Sequence, residues 1–195
     1  LGVQHAQGDR PAHGMFIFAN TPALKSINIP STVSTIGYGC FENSGINSKL
    51  HDGITVIADY AFRNCDNLVD PGLGNNLAYV GKEAFFDCDK LEVADLRFGL
   101  EYLGAYAFAY CEQLKKAYIP ASVTSIAGNP YMGCSGIESF ELDPDSSDFV
   151  ERDGVLYNKE MTTLLYYPAS LTDETFVFPD TVRAIGQGAF AGAQL

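Results

Sequence analysis

The chain has 195 residues, of which 47% are hydrophobic and 18% are charged, a balance typical of a protein with a packed interior and not of a disordered chain. Its 12 basic and 24 acidic residues give a formal net charge of −12, which disfavours binding to nucleic acids and to anionic membrane surfaces. No apolar run approaches the roughly 20 residues needed to cross a bilayer, so no membrane insertion is expected. Residues 1–12 lack the basic start and apolar core of a secretory signal. Because the chain does not begin with Met, we expect it to be part of a longer protein.

From residue 18 onward the chain repeats a motif in which an aromatic residue is followed three positions later by cysteine or a small residue. The clearest copies begin at Phe62, Phe85, Phe108 and Tyr131, each 23 residues after the one before (85 − 62, 108 − 85 and 131 − 108). Further copies begin at Phe18, Phe41 and Phe190. So regular a period predicts a stack of similar structural units.

Each unit contains two short extended segments joined by turns. The first alternates apolar and polar residues, as in Ile27-Asn28-Ile29, which predicts a short strand with one buried face. Pro30 then ends this strand, and a second extended segment such as Val123–Ile126 returns along the far side. The Gly-x-x-Ala-Phe segment predicts a short helical or 3-10 turn whose Phe fills the interior. Because one unit cannot bury its own apolar face, successive units must stack and share one elongated interior.

The first full unit reads Leu24-x-x-Ile27-x-Ile29-Pro30-x-x-Val33-x-x-Ile36-Gly37-x-x-Cys40-Phe41, and residues 114–134 follow the same pattern. This pattern resembles the BspA-type leucine-rich repeat of bacterial cell-surface proteins. The resemblance implies an α/β repeat fold, a right-handed curved leucine-rich-repeat solenoid with short parallel strands on one face. It also implies an extracellular or cell-surface location and adhesion or binding to a host protein, with no catalytic residues. Pro71-Gly72 and the shortened unit at 46–67 are expected to be locally irregular.

The repeat is interrupted between residues 142 and 178. Tyr131 and Phe190 are 59 residues apart (190 − 131), which exceeds one unit by 36 and is not a whole number of units. Within this insertion, Val155–Tyr157 and Leu164–Tyr167 predict a β-hairpin. The predicted organisation is therefore a lead-in at 1–17 and one solenoid at 18–195, interrupted by an inserted hairpin at about 143–175. The hairpin either packs on the solenoid or protrudes with Tyr157, Tyr166 and Tyr167 exposed to contact a ligand.

Four cysteines, Cys65, Cys88, Cys111 and Cys134, share one column of the repeat. We expect buried free thiols, with bridging or a metal site as alternatives, although a row spaced by ~5 Å cannot surround zinc tetrahedrally. The acidic segment 143–153 leaves open calcium binding or an ordinary solvated loop. No Ser-His-Asp order, phosphate-binding loop or carboxylate pair stands out. The sequence thus predicts no catalytic residue, no cofactor and no metal site.

The middle residues of the first strands are predicted to face outward as one row across the sheet. The candidate ligand-binding residues on this face, with their flanking positions, are Asn28, Val93, Asp95, Arg97, Lys116, Tyr118 and Glu141. The alternative is that this row is merely exposed to solvent. Because solenoids present extended binding surfaces, the sequence predicts a non-enzymatic module that binds an extracellular protein or a glycan. The second hypothesis is a stiff spacer segment of a larger surface protein.

Overall fold

The structure, a computed structural model, describes residues 15–172 and 174–193 and shows a solenoid of stacked coils. These residues form eleven short strands arranged in three sheets. The strands are β1 (Thr35–Ile36), β2 (Val56–Ile57), β3 (Tyr79–Val80), β4 (Tyr102–Leu103), β5 (Lys116–Ile119), β6 (Ser125–Ile126), β7 (Ser139–Leu142), β8 (Phe149–Arg152), β9 (Val155–Asn158), β10 (Thr163–Tyr166) and β11 (Ala184–Ile185). Residues 1–14 of the predicted lead-in lie outside the described residues, and the predicted boundaries of the lead-in and the solenoid stay a prediction.

The first sheet has the order β1-β2-β3-β4-β6, and all its strands are parallel. It is built from the return segment of each unit, so that each strand pairs with its equivalent one coil later. The inward residues Ile57, Val80 and Leu103 are fully buried, whereas the residue before each of them faces outward. The repeat therefore places equivalent side chains directly above one another.

The second sheet is made of the parallel pair β5 and β7 and belongs to the other side of the coils. The equivalent segments of earlier units form no strand among the described residues. Gly72, which follows Pro71, has a positive φ of 63°, and the Leu96 N–H donates to the Ala94 carbonyl at 3.0 Å in a tight turn. Irregularity was expected at Pro71-Gly72 and is present there. The turn at 94–96 was not anticipated from the sequence.

The turn segments are not helical, so the predicted helical or 3-10 turns are wrong. The described residues contain no helix, and hence none long and apolar enough to cross a membrane. Within residues 58–65, the N–H groups of Arg63 and Cys65 donate three residues back, at 3.1 and 3.2 Å. Those of Phe62 and Asn64 donate instead to the next coil, at 2.7 and 2.8 Å. A helix needs consecutive amides bonded within one segment, and here every second amide stabilises the stack.

The predicted column of aromatic residues is present as a spine of stacked rings. Neighbouring rings lie 5.1 to 5.7 Å apart between centroids, with interplanar angles of 1° to 14°. The spine consists of Phe18, Phe41, Phe62, Phe85, Phe108 and Tyr131. Offset stacks of this kind combine apolar burial with favourable ring contacts. The aromatic position of the repeat is therefore the centre of the core.

The insertion forms a third sheet in the order β11-β10-β9-β8. β9 pairs with β10 in antiparallel fashion, as the predicted hairpin requires, and β8 adds a further antiparallel strand. Leu156 and Tyr166 pack into the core of the preceding coils, whereas Val155 and Leu164 pack into a second cluster with the last coil. The expectation of one elongated interior is therefore wrong, because the inserted sheet separates two hydrophobic clusters.

Of the two alternatives for the hairpin, the structure shows the one that packs on the solenoid, and the alternative with Tyr157, Tyr166 and Tyr167 exposed is wrong. Their exposed fractions are 1%, 2% and 1%, so these side chains do not form a protruding surface. The Tyr167 ring stacks on Phe190 with 5.1 Å between centroids, and its N–H donates to the Ala189 carbonyl at 2.8 Å. Spine residues such as Phe62 make the same two contacts with the next coil. Tyr167 thus restarts the aromatic spine after the insertion.

Candidate ligand-binding face

The face of the β5–β7 sheet holds three of the predicted site residues. Parallel pairing sets Tyr118 beside Glu141, and because Ala117 is fully buried, its neighbours Lys116 and Tyr118 project outward. Lys116 Nζ lies 2.7 Å from Glu141 Oε2 and 5.5 Å from the centroid of the Tyr118 ring. One ammonium group therefore connects a carboxylate and an aromatic ring across the two strands.

Asp143, which was not predicted for this face, completes the cluster. The Tyr118 hydroxyl donates to Asp143 Oδ2 at 2.7 Å. Partial burial, together with the carboxylate of Asp143, raises the pKa of Tyr118 to about 12. The Tyr118 hydrogen bond and that from the Asp145 N–H lower the pKa of Asp143. The strand alternation, extended two residues beyond Glu141, would have identified Asp143 as a member of the same row.

Val93, Asp95 and Arg97 belong to the unit before β5 and extend the face by one coil. Asp95 and Arg97 form an ion pair with each other, and the negative charge of Asp95 also contributes to the raised pKa of Tyr118. Val93 is 41% exposed, and the neighbouring Phe98, which was not predicted as a site residue, is 72% exposed. The face therefore combines paired charges with exposed apolar side chains.

Asn28 is exposed but does not join this cluster. It lies in the first unit, and the units at 46–50 and 68–73 separate it from the unit of Asp95. The structure thus brings together six of the seven predicted sheet-face residues in three successive units. We define the sheet-face cluster as Val93, Asp95, Arg97, Lys116, Tyr118 and Glu141, with Asp143 added.

The predicted row of free thiols is present. All five cysteines are buried and unpaired with each other. The Cys88 and Cys111 thiols donate to the carbonyl oxygens of Phe62 and Phe85, both at 3.1 Å. Burial raises the pKa of Cys65 to about 11, which keeps the thiol protonated. These cysteines are parts of the core and not reactive groups.

The polar groups of the described residues do not converge as a metal site. Across 15–172 and 174–193, no group of three His, Cys, Asp or Glu side chains is placed to hold a metal ion. Carboxylates of the acidic segment 143–153 instead accept hydrogen bonds from its own backbone, as where the Asp145 N–H donates to Asp143 Oδ1 at 3.0 Å. The sheet-face cluster offers hydrogen bonds, charge and apolar contact, which are the elements of recognition.

A family model described as the BspA type leucine rich repeat region matches six copies over residues 13–146. The chain belongs to the BspA-type leucine-rich repeat family. The match ends in the loop that leads into the inserted strands, where the 23-residue period stops. The resemblance found in the sequence is therefore confirmed.

Solved bacterial leucine-rich repeat proteins share this fold. A leucine-rich repeat protein from Eubacterium ventriosum is 25% identical, with a TM-score of 0.72 over 87% of this chain and 45% of that one. A leucine rich cell surface protein from Faecalibacterium prausnitzii is 26% identical, with a TM-score of 0.57 over 81% of this chain and 49% of that one. The pneumococcal vaccine antigen PcpA, 21% identical with a TM-score of 0.60 over 85% of this chain and 52% of that one, shows the fold alone. This chain thus spans about half the length of the structures it matches. No curated protein sequence matches it.

Proposed function

We propose that this chain is a non-enzymatic binding module, located at the bacterial cell surface or secreted, that recognises an extracellular protein or a glycan through the sheet-face cluster. The observation that carries the proposal is the joining of Lys116, Tyr118, Glu141 and Asp143 by short polar contacts on an exposed face. Surface location is supported by the F. prausnitzii relative, which is described as a cell surface protein.

The rigidity of this face favours recognition. Ala117 and Ile119, which alternate with the outward residues of β5, are fully buried. Side chains held in place by a packed strand lose less conformational entropy on binding, so more of the contact energy appears as affinity. Tyr and Arg, both present in the cluster, are the residues enriched at the centres of protein interfaces.

The test is a binding screen of the purified chain against extracellular-matrix proteins and a glycan panel, followed by Tyr118→Ala. For a partner bound at this face, we expect Tyr118→Ala to weaken affinity about tenfold or more, because the ring and its hydroxyl are both lost. Tyr110→Ala, which removes an exposed tyrosine from a turn segment, is the control. If both variants bind the partner with the same affinity as the parent chain, the binding site does not lie on the sheet face.

The alternative is a spacer that holds another domain away from the cell. It is favoured by the aromatic spine that runs unbroken from Phe18 to Tyr131, since coils stacked through both core and backbone make a stiff rod. A spacer predicts that no partner binds at the sheet face and that substitutions there leave every interaction unchanged. The same screen therefore distinguishes the two functions.

A further inference from the structure

A pocket of about 460 Å³ opens on the side of the solenoid formed by the turn segments 38–43, 58–65 and 82–87. Its lining consists of Phe16, Tyr38, Glu42, Tyr60, Arg63 and Glu83. None of these residues belongs to the sheet-face cluster or to β5 or β7. The volume lies within the range of about 300 to 1,000 Å³ that is typical of small-molecule sites.

Three aromatic rings form one wall of the pocket. The Phe16 and Tyr38 rings lie 5.4 Å apart with an interplanar angle of 79°, and the Tyr38 and Tyr60 rings lie 5.2 Å apart at 67°. Gly39, with a φ of 55°, makes room for this arrangement, since a side chain there would collide with the Phe16 ring. Phe16 is 45% exposed, so its ring offers an apolar surface to the pocket, in contrast to the buried rings at the centre of the spine.

Charged groups form the other wall. The Arg63 guanidinium lies between the Tyr60 and Phe86 rings, 5.7 and 5.2 Å from their centroids. Its Nη1 and Nε lie 3.5 Å from carboxylate oxygens of Glu42 and Glu83, respectively. Among the described residues, the buried Nε–H has no hydrogen-bond partner. The Arg63 side chain as a whole is 36% exposed, so its remaining N–H groups can donate to a molecule bound in the pocket.

We infer that this pocket binds the ring of a neutral pyranose sugar. Hydroxyl groups on adjacent carbons both donate and accept hydrogen bonds, which suits a site where a guanidinium donor stands between two carboxylate acceptors. The apolar C–H face of the same sugar ring would pack against the aromatic wall. The guanidinium disfavours a cationic ligand, and Glu42 and Glu83 disfavour an anionic one. This inference is independent of the function proposed for the sheet face.

The test uses saturation-transfer NMR with methyl β-D-glucopyranoside, methyl β-D-galactopyranoside and methyl N-acetyl-β-D-glucosaminide, each at about 10 mM, a concentration suited to millimolar affinity. Tetramethylammonium and acetate report on the cationic and anionic alternatives. We expect at least one pyranoside to bind, and Arg63→Gln to weaken that binding about tenfold, because a charge-assisted hydrogen bond is lost. Phe16→Ala should weaken it severalfold.

The matched controls are Arg152→Gln and Phe178→Ala, which remove an exposed arginine and an exposed phenylalanine outside both the pocket and the sheet face and should leave pyranoside binding unchanged. If Arg63→Gln fails to fold, Phe16→Ala becomes the test of the pocket. Phe16 is 45% exposed and contributes little to the core, so this variant should still fold. The inference is overturned if none of the three pyranosides binds or if either ion binds in their place. It is equally overturned if the pocket variants that fold bind like the parent chain. Tyr118→Ala should not affect pyranoside binding, which separates this site from the sheet face.

Discussion

The coils up to residue 142 and the segment from 143 to 193 solve the same packing problem in different ways. In the first region each ring of the spine meets a copy of itself, as Phe62 meets Phe85 at 5.1 Å with planes 1° apart. At the insertion this order stops, since Tyr131 meets Tyr166 at 5.9 Å with a tilt of 49°. Tyr167 then restores the stack. A solenoid can thus accept a foreign sheet if both the backbone pairing and the spine resume beyond it.

The backbone shows the same continuity. In a regular coil the Gly81 N–H donates to the Ile57 carbonyl at 2.8 Å, and beyond the insertion the Gly186 N–H donates to the Leu164 carbonyl at 2.7 Å. β10 therefore takes the place of the strand that a regular coil would supply to β11. The two regions differ in their core contents, but they keep the hydrogen-bonding pattern that joins one coil to the next.

The largest expected effect is in the regular region. Phe108→Ala should lower the free energy of unfolding by about 3 to 5 kcal/mol, because the fully buried ring packs against two spine neighbours and its removal leaves a cavity. Urea titration followed by circular dichroism measures the loss. A loss below about 1 kcal/mol would contradict the role assigned to the spine.

Tyr167→Ala is the equivalent test in the inserted region. If Tyr167 is a true spine residue, the substitution should cost about 3 kcal/mol, close to the cost for Phe108→Ala. The same titration applies, with Tyr110→Ala as an exposed control. A cost no greater than that of the control would mean that the last coil does not depend on the inserted sheet.

A substitution in the cysteine column, which exists only in the regular region, should lower the free energy of unfolding by less than the loss of a spine ring. Cys111→Ala should cost about 1 to 2 kcal/mol, because it removes a buried sulfur and its hydrogen bond to the Phe85 carbonyl. In the native parent chain all five thiols should react with a thiol reagent only after unfolding, since they are buried and burial raises the pKa of Cys40 and Cys65 to about 11. Rapid labelling of the native chain would exclude this arrangement.

The smallest effect concerns the contact between Tyr118 and Asp143, which joins β5 to the first residue after β7. Because burial also raises the pKa of other tyrosines, the informative quantity is the difference between the ultraviolet titration curves of the parent chain and Asp143→Asn. It should show one tyrosine whose pKa moves from about 12 closer to 10. A pKa raised by folding stabilises the native state below the ordinary tyrosine pKa of about 10, and this contribution is lost as the pH rises towards 12. Tyr118→Phe should therefore destabilise the chain by less than about 1 kcal/mol near neutral pH. An unchanged titration curve in Asp143→Asn would count against the hydrogen bond.

Much of the regular region could be predicted from the sequence because each unit packs against a copy of itself. The 23-residue spacing of Phe62, Phe85 and Phe108 therefore implied that their rings meet, and the column containing Cys88 implied a buried row. The same reasoning identified most of the sheet-face cluster, since alternation along β5 separates Ala117 from Lys116 and Tyr118. The hairpin pairing of β9 with β10 was equally local, because both strands lie close together in the chain.

Only the tertiary structure could show the contacts between residues that do not occupy equivalent positions of the repeat. Periodicity could not show that the Phe62 and Asn64 amides donate to the next coil, and so the turns were predicted to be helical. Nor could it show that Tyr157 would be covered by the last coil, because Tyr157 and the residues that cover it have no shared repeat position. Tyr167, by contrast, lies one period before Phe190 (190 − 167 = 23), so its place in the spine could have been found from the spacing. The sequence by itself determined the period, the spine and the family, since burial recurs with every unit. Which face is exposed, and where the core divides, depended on the packing of the inserted sheet.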